Sequence, residues 1–296
     1  MNIATRIVNA NHVTGYVKVS RALDVMYLCN YKSACTTILL SLASRDYNSE
    51  HLKSMPDEHS VYTDGIFSSD FDIVNTRIFT FSFVRNPYAR VLSAYLDKIR
   101  RPSDQYRIEF CRAHGLNADS EITFYDFLSR IRPVPPHELD GHWRPQADNL
   151  LLGGLDIDFI GNVEFFLSDF DVLSHQTRLT TNCYINTRGR NHCTKAELLI
   201  DEYYTEKEVL LVNEIYEEDF RAFYYNFNPF DRSPKQRRLE VKAYDKALHH
   251  FIRGIGLCGT NKAIAITEMR KALTISNANP FVQTSIDSLC APNATG

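Results

Sequence analysis

Residues 78–95 read IFTFSFVRNPYARVLSAY, and this stretch decides the fold class. Ile78 to Val84 is a continuous apolar, β-prone run, the pattern of a strand covered on both faces. Asn86 is a good N-cap, Pro87 suits the first helical position, and Tyr88, Val91, Leu92 and Tyr95 then recur at helical spacing. The stretch is a strand passing directly into a helix.

Upstream the pattern repeats. Residues 23–29 (LDVMYLC) are apolar and β-prone, Asn30 to Ala34 form a polar turn, and Cys35 to Ala43 have helical length. Two such units predict an α/β fold: a P-loop-like parallel sheet flanked by helices. Further along, Leu155 to Val163 alternates like a short strand. Thr123 can cap a helix carrying Phe124, Phe127, Leu128 and Ile131, and Thr205 with Glu208 forms a capping box ahead of Val209, Val212, Ile215, Tyr216 and Phe220. The segment 132–140, with three prolines, reads as a loop, and His142 follows it. The pattern breaks over 228–238, after which 239–255 and 261–275 read as helices. These observations divide the chain into a main domain, 1–230, and a helical C-terminal extension, 231–296, open to a protein partner.

The 296 residues are 44% apolar and 23% charged, which excludes a disordered chain. A formal net charge of -3 gives no global attraction to nucleic acid, so any anion site must be local. Seven scattered cysteines lack a Cys-x-x-Cys pair and fit a reducing compartment. Residues 1–19 lack a secretory core, and no run of about 18 apolar residues marks a membrane span. The expectation is a soluble, cytoplasmic protein with no integral membrane segment and no nucleic-acid partner.

Where a parallel strand ends and a helix begins, free backbone N–H groups and the helix dipole can receive a phosphate. Lys32, Ser33, Ala34, Cys35, Thr36 and Thr37 occupy one such position. Lys32 supplies charge, the small residues allow close backbone approach, and Ser33, Thr36 and Thr37 add hydroxyls. By its own residues the segment reads equally as a polar turn with a solvated lysine. It is no Walker loop, because Met26 and Tyr31 stand where that motif needs glycine, and the next strand ends in Arg85 rather than in an aspartate for magnesium. Arg85 can pair a phosphate bidentately or serve a structural ion pair. Ser93 lies two turns into the following helix.

Together these residues resemble the Golgi-type carbohydrate sulfotransferases and their bacterial relatives (sulfotransferase family 2). Residues 32–37 (KSACTT) look like the family's 5′-phosphosulfate loop, and 83–95 (FVRNPYARVLSAY) like its 3′-phosphate motif. Two later segments, 142–146 (HWRPQ) and 158–164 (DFIGNVE), are similar to the family's His-Trp-x-Pro-Gln and Asp-Phe-Ile-Gly-x-x-Glu, in the same order. The resemblance covers residues 20–230. Where the family has Pro, often Gly, and Asp, this chain has Tyr31, Ala34 and Asn86.

The resemblance implies a sulfuryl donor, 3′-phosphoadenosine 5′-phosphosulfate, and a glycan or other hydroxyl-bearing acceptor, with no metal required. It implies that Lys32 meets the 5′ end, that Arg85 and Ser93 meet the 3′-phosphate, and that His142 is the base; packing beside Trp143 is the other role open to His142. Arg90, Arg188 and Arg190 stand open as further contacts to the 3′-phosphate. Arg144 and Gln146 either orient the acceptor or hold their loop, and Glu164 is a second base or a structurally paired carboxylate. Glu217, Glu218 and Asp219 read as a solvated helix face. A nucleotide or small-molecule kinase with a degenerate phosphate loop, and a non-catalytic nucleotide-binding module, are the alternatives.

Overall fold

A computed structural model of the chain describes residues 17–20, 23, 25–46, 79–101, 104–150, 157–179, 194–231 and 262–275, together with 283, 286, 287 and 290. A four-stranded sheet runs in the order β1 (Val17–Ser20), β2 (Val25–Leu28), β3 (Phe79–Val84), β4 (Phe159–Asn162). β2, β3 and β4 are parallel, in the registers Tyr27 to Phe81 and Val84 to Asn162. The expected parallel sheet fails at one edge, where β1 is antiparallel to β2. Only four positions separate these two strands, and a parallel connection needs a crossover of a dozen residues or more.

Helix α1 (Cys35–Asp46) follows β2, and α2 (Pro87–Ala94) follows β3. Asn86 caps α2 as its sequence requires, its side chain accepting from the Tyr88 N–H, and every residue of this helix is buried. The helix runs on into a π turn, Tyr95–Ile99. Next come α3 (Gln105–Ala113), α4 (Phe124–Ile131) and the short α5 (Gln146–Asn149). After β4 come α6 (Phe166–Thr177), α7 (Ile200–Tyr203), α8 (Glu206–Ile215), α9 (Glu217–Ala222) and α10 (Lys262–Ile275). The capping boxes expected at Thr123 and Thr205 are formed, with Asp126 and Glu208 as their third-position partners.

Two apolar clusters result. One joins the sheet to α1 and α6, with Tyr27, Phe81, Phe83, Leu39 and Phe170 at its centre. The other joins α2 to α3, α4, α8 and α9 through Tyr88, Leu92, Phe127, Trp143 and Tyr216. Met269 and Ala272 of α10, with Ile286, are buried in the sheet cluster, so this part of the C-terminal extension shares the main core. The helix expected over 239–255 lies outside the described residues.

The segment 158–164 is structural cement. Asp158 accepts the Thr80 N–H at 2.8 Å, pairing the edges of β3 and β4. A Cβ on Gly161 would overlap the Phe83 ring, which is why only glycine fits there. Glu164 accepts from the Asn86 N–H at 2.6 Å and from the Tyr225 hydroxyl at 2.9 Å, tying β4 to the start of α2. This is the paired carboxylate rather than a second base.

Candidate active site

The carboxyl ends of β2 and β3 lie side by side, and the two basic motifs meet there. Lys32 and Ala34 take left-handed backbone angles, φ 65° and 61°, with Ser33 between them. Turns of this kind aim N–H groups into a concavity that suits an anion. Cys35 is buried at the start of α1; its hydrogen bond, ahead of burial, pushes the Cys29 thiol up.

The Lys32 ammonium pairs with Asp97 Oδ2 at 3.0 Å, so the π turn supplies its counter-ion. Burial outweighs that pairing and lowers the Lys32 pKa, with Arg85 acting in the same direction. Asp97 is pushed up by burial but held below the usual carboxylate range by Lys32, Lys98 and Arg101. Arg85 donates from Nη1 to the Lys32 carbonyl at 3.0 Å, and from Nε to Glu197 Oε1 at 2.9 Å, with Nη2 on the same oxygen. Thr194 donates its hydroxyl to Ser93 at 2.9 Å. The two residues expected at the 3′-phosphate, Arg85 and Ser93, are thus engaged by one segment, 194–197.

Arg90 is consumed by structure. It is 1% exposed, and its guanidinium donates to the carbonyls of Tyr31, Arg144 and Gly141 at 2.7 to 2.9 Å. That bracing fixes the loop carrying His142 beside the phosphate loop. Arg144 donates to the carbonyls of His137 and Leu139 and holds its own loop. Arg188 and Arg190 lie outside the described residues.

His142 is buried, with its ring stacked on Tyr31 at 4.4 Å and edge-on to Tyr106 at 4.6 Å. Tyr31 therefore replaces the family's proline with an aromatic shelf for the imidazole. His142 Nδ1 lies 2.7 Å from Asp140 Oδ1, which also accepts the His142 N–H at 2.9 Å. Burial alone would raise the Asp140 carboxyl; the bonds from His142 outweigh it and hold it below the usual range. With Nδ1–H given to Asp140, Nε2 is left as an acceptor.

Gln146 ties these parts together. Its Oε1 accepts from Asn30 Nδ2 (2.9 Å), Ser33 Oγ (3.2 Å) and the Arg85 N–H (2.9 Å), and its Nε2 donates to the Arg85 carbonyl at 2.8 Å. Asp219 accepts the N–H groups of Gln146 and Ala147 at 2.8 and 2.7 Å. It is fully buried, so the solvated face expected of residues 217–219 is wrong at this position. Burial raises its pKa to about 6, against the opposing charge of Arg90 and these hydrogen bonds. The signal was present in the sequence: Val212, Tyr216, Asp219, Phe220 and Phe223 share one helical stripe. Asp97 and Glu197 had no such signal, being partners fixed by packing alone, whereas Asp140 stands two residues before His142 and bonds its backbone N–H as a local turn residue does.

Among the described residues no group of three or more His, Cys, Asp or Glu side chains is placed to hold a metal ion, and no helix is long and apolar enough to cross a membrane. The Sulfotransferase family model matches residues 18–226, well over half of the chain. The chain belongs to the sulfotransferase family.

The sulfotransferase relatives it matches include carbohydrate sulfotransferase 14 of Mus musculus, 31% identical over 99 residues, which are 31% of this chain and 26% of that protein. The Danio rerio protein of the same name is 33% identical over 101 residues, 31% of this chain and 28% of its own. Carbohydrate sulfotransferase 9 of Homo sapiens is 26% identical over 182 residues, 53% of this chain and 40% of that protein. The matches thus span well under half the length of each relative. No solved structure matches the chain. Membership in the sulfotransferase family sets aside the kinase considered from sequence. The matches also overturn the cytoplasmic assignment: the relatives are carbohydrate sulfotransferases, a group of Golgi enzymes, and scattered cysteines with an apolar-poor start do not outweigh that.

Proposed function

We propose that the chain transfers a sulfuryl group from 3′-phosphoadenosine 5′-phosphosulfate to a hydroxyl of a carbohydrate acceptor. The observation that carries this reading is the contact between Arg85 and Lys32, which brings the two basic motifs to adjacent strand ends within reach of one nucleotide. On this reading the β2 and β3 ends form a P-loop-like donor site in the domain 1–230, against which α10 of the extension 231–296 packs through Met269 and Ala272.

The loop 32–37 receives the 5′ end through backbone N–H groups and the Lys32 ammonium. Arg85 and Ser93 receive the 3′-phosphate once Glu197 and Thr194 give way. His142 Nε2 takes the acceptor's hydroxyl proton as its oxygen attacks sulfur. The new O–S bond forms while the bond from sulfur to the 5′-phosphate oxygen breaks, in line, and adenosine 3′,5′-bisphosphate leaves with the electron pair. Lys32 offsets the charge that grows on that oxygen. Asp140 holds the imidazole tautomer and steadies the imidazolium once it is protonated. As in phosphoryl transfer, most of the acceleration comes from positioning and charge.

The test is transfer of labelled sulfate to a panel of oligosaccharides. His142→Ala should lose roughly 10²- to 10⁴-fold in rate while still binding adenosine 3′,5′-bisphosphate, since a general base contributes about that much. Arg85→Ala should bind the bisphosphate about 10- to 100-fold more weakly, the loss of about 1.5 to 3 kcal/mol of charged hydrogen bonding. Wild-type turnover in His142→Ala would remove the base from the scheme.

A further inference from the structure

We propose that the Gln146 side-chain amide is a spacing clamp between the two donor-binding strand ends, and that Asp219 holds the clamp; both act as positioning residues, a role that rests on the donor site proposed above.

The hydrogen-bond ladders of the sheet stop short of that site. The β2–β3 register ends at Tyr27 and Phe81, and the β3–β4 register ends at Val84 and Asn162. Arg85 is the first residue past the β3–β4 ladder and lies four positions beyond the end of the β2–β3 ladder. Its backbone N–H and C=O are each answered by Gln146, at 2.9 and 2.8 Å, so this one side chain extends the ladder as a neighbouring strand would. The same Oε1 reaches the loop side through Asn30 and Ser33. Gln146 is fully buried, so every one of these bonds is made away from water, where an unanswered group costs most.

The clamp has its own anchor. Asp219 on α9 accepts the backbone N–H of Gln146 and of Ala147, and its Oδ2 lies 3.3 Å from Gln146 Nε2. Its charge stands at the first turn of α5, where it favours those free N–H groups. Asp219 bonds to Gln146 and Ala147, and the Gln146 amide stands between it and Ser33, so its effect on the donor would pass through Gln146.

A ligand with a phosphate at each end gains affinity only if both subsites sit at the ligand's own span; a ligand with one phosphate does not sense that span. This separates a clamp from a general support. The experiment compares wild type with Gln146→Asn, Gln146→Met, Gln146→Ala and Asp219→Asn, measuring calorimetric affinity for adenosine 3′,5′-bisphosphate, adenosine 5′-monophosphate and adenosine 3′-monophosphate, with thermal melts alongside. Gln146→Asn keeps the amide but is one methylene too short to bridge. The expected result is a loss of about tenfold or more for the bisphosphate against less than about threefold for each monophosphate, with Asp219→Asn showing the same pattern at smaller amplitude.

Equal losses for all three ligands would make Gln146 a scaffold residue and overturn the proposal, as would bisphosphate affinity unchanged in folded variants, or failure of every Gln146 variant to fold. A wild-type protein that does not bind the bisphosphate would instead remove the donor site itself, and the clamp with it.

Discussion

Arg85 Nη1 donates to the Lys32 carbonyl at 3.0 Å, although the two residues are 53 positions apart in the chain. Two short basic motifs, each weak alone, thereby become neighbours at the carboxyl end of the two central strands. In the same arrangement each cation already holds a carboxylate, Lys32 that of Asp97 and Arg85 that of Glu197.

Glu197 occupies the guanidinium fork that a phosphate would take, and 49% of its side chain is exposed. Such a half-exposed pair is worth about 0 to 1 kcal/mol and is easily displaced, but the carboxylate still competes. Glu197→Gln should therefore tighten adenosine 3′,5′-bisphosphate binding by about two- to fivefold at low salt, with a smaller gain at high salt. Isothermal titration at two ionic strengths measures this. Weaker binding in the variant would mean that Glu197 orients Arg85 rather than competing for it.

Asp140 fixes which nitrogen of His142 carries the proton. Asp140→Asn keeps the shape but can present an NH₂ to Nδ1, favouring the wrong tautomer. The rate of sulfate transfer should fall about 10²-fold while bisphosphate affinity holds within about twofold. Loss of rate and affinity together would point instead to a collapsed loop.

Ala34 sits at φ 61°, a region that costs a residue with a Cβ about 1 to 2 kcal/mol. Glycine removes that strain and returns about 0.5 to 1 kcal/mol through greater freedom of the unfolded chain. Ala34→Gly should therefore stabilise the protein by about 0.5 to 1 kcal/mol, seen as a higher urea midpoint at unchanged slope. A lower midpoint would show that the backbone there is not strained.

Asp148 is raised from 3.8 to about 7 by burial first, then by Glu218 and Asp219. Between those values the folded chain keeps a proton that the unfolded chain has lost, so stability should rise as pH falls from about 7.5 to 5. Asp148→Asn should remove most of this slope, leaving the part due to Asp219, and be more stable at pH 7.5 by about 1 to 4 kcal/mol. Urea titrations at three pH values test it, and a wild-type slope of opposite sign would refute the assignment.

The local chemistry of this protein could be read from its residues. Asn86 caps and Pro87 opens α2 because backbone donors at a helix start need such groups whatever surrounds them. Thr123 and Thr205 cap their helices for the same reason, and the apolar run of residues 78–84 could only be a covered strand. The motifs carrying Lys32, Arg85 and His142 were legible because each is contiguous in sequence. What only the tertiary structure decided is which distant groups answer them: Asp97 for Lys32, Glu197 for Arg85, and Gln146 between the strand ends; Asp140, two residues before His142, is a local partner. An ion pair or a buried hydrogen bond is set by distances of about 3 Å in space. Sequence separation carries almost no information about those distances until the two clusters have packed. The orientation of β1 lies between the two cases, since its short connection to β2 was there to be counted.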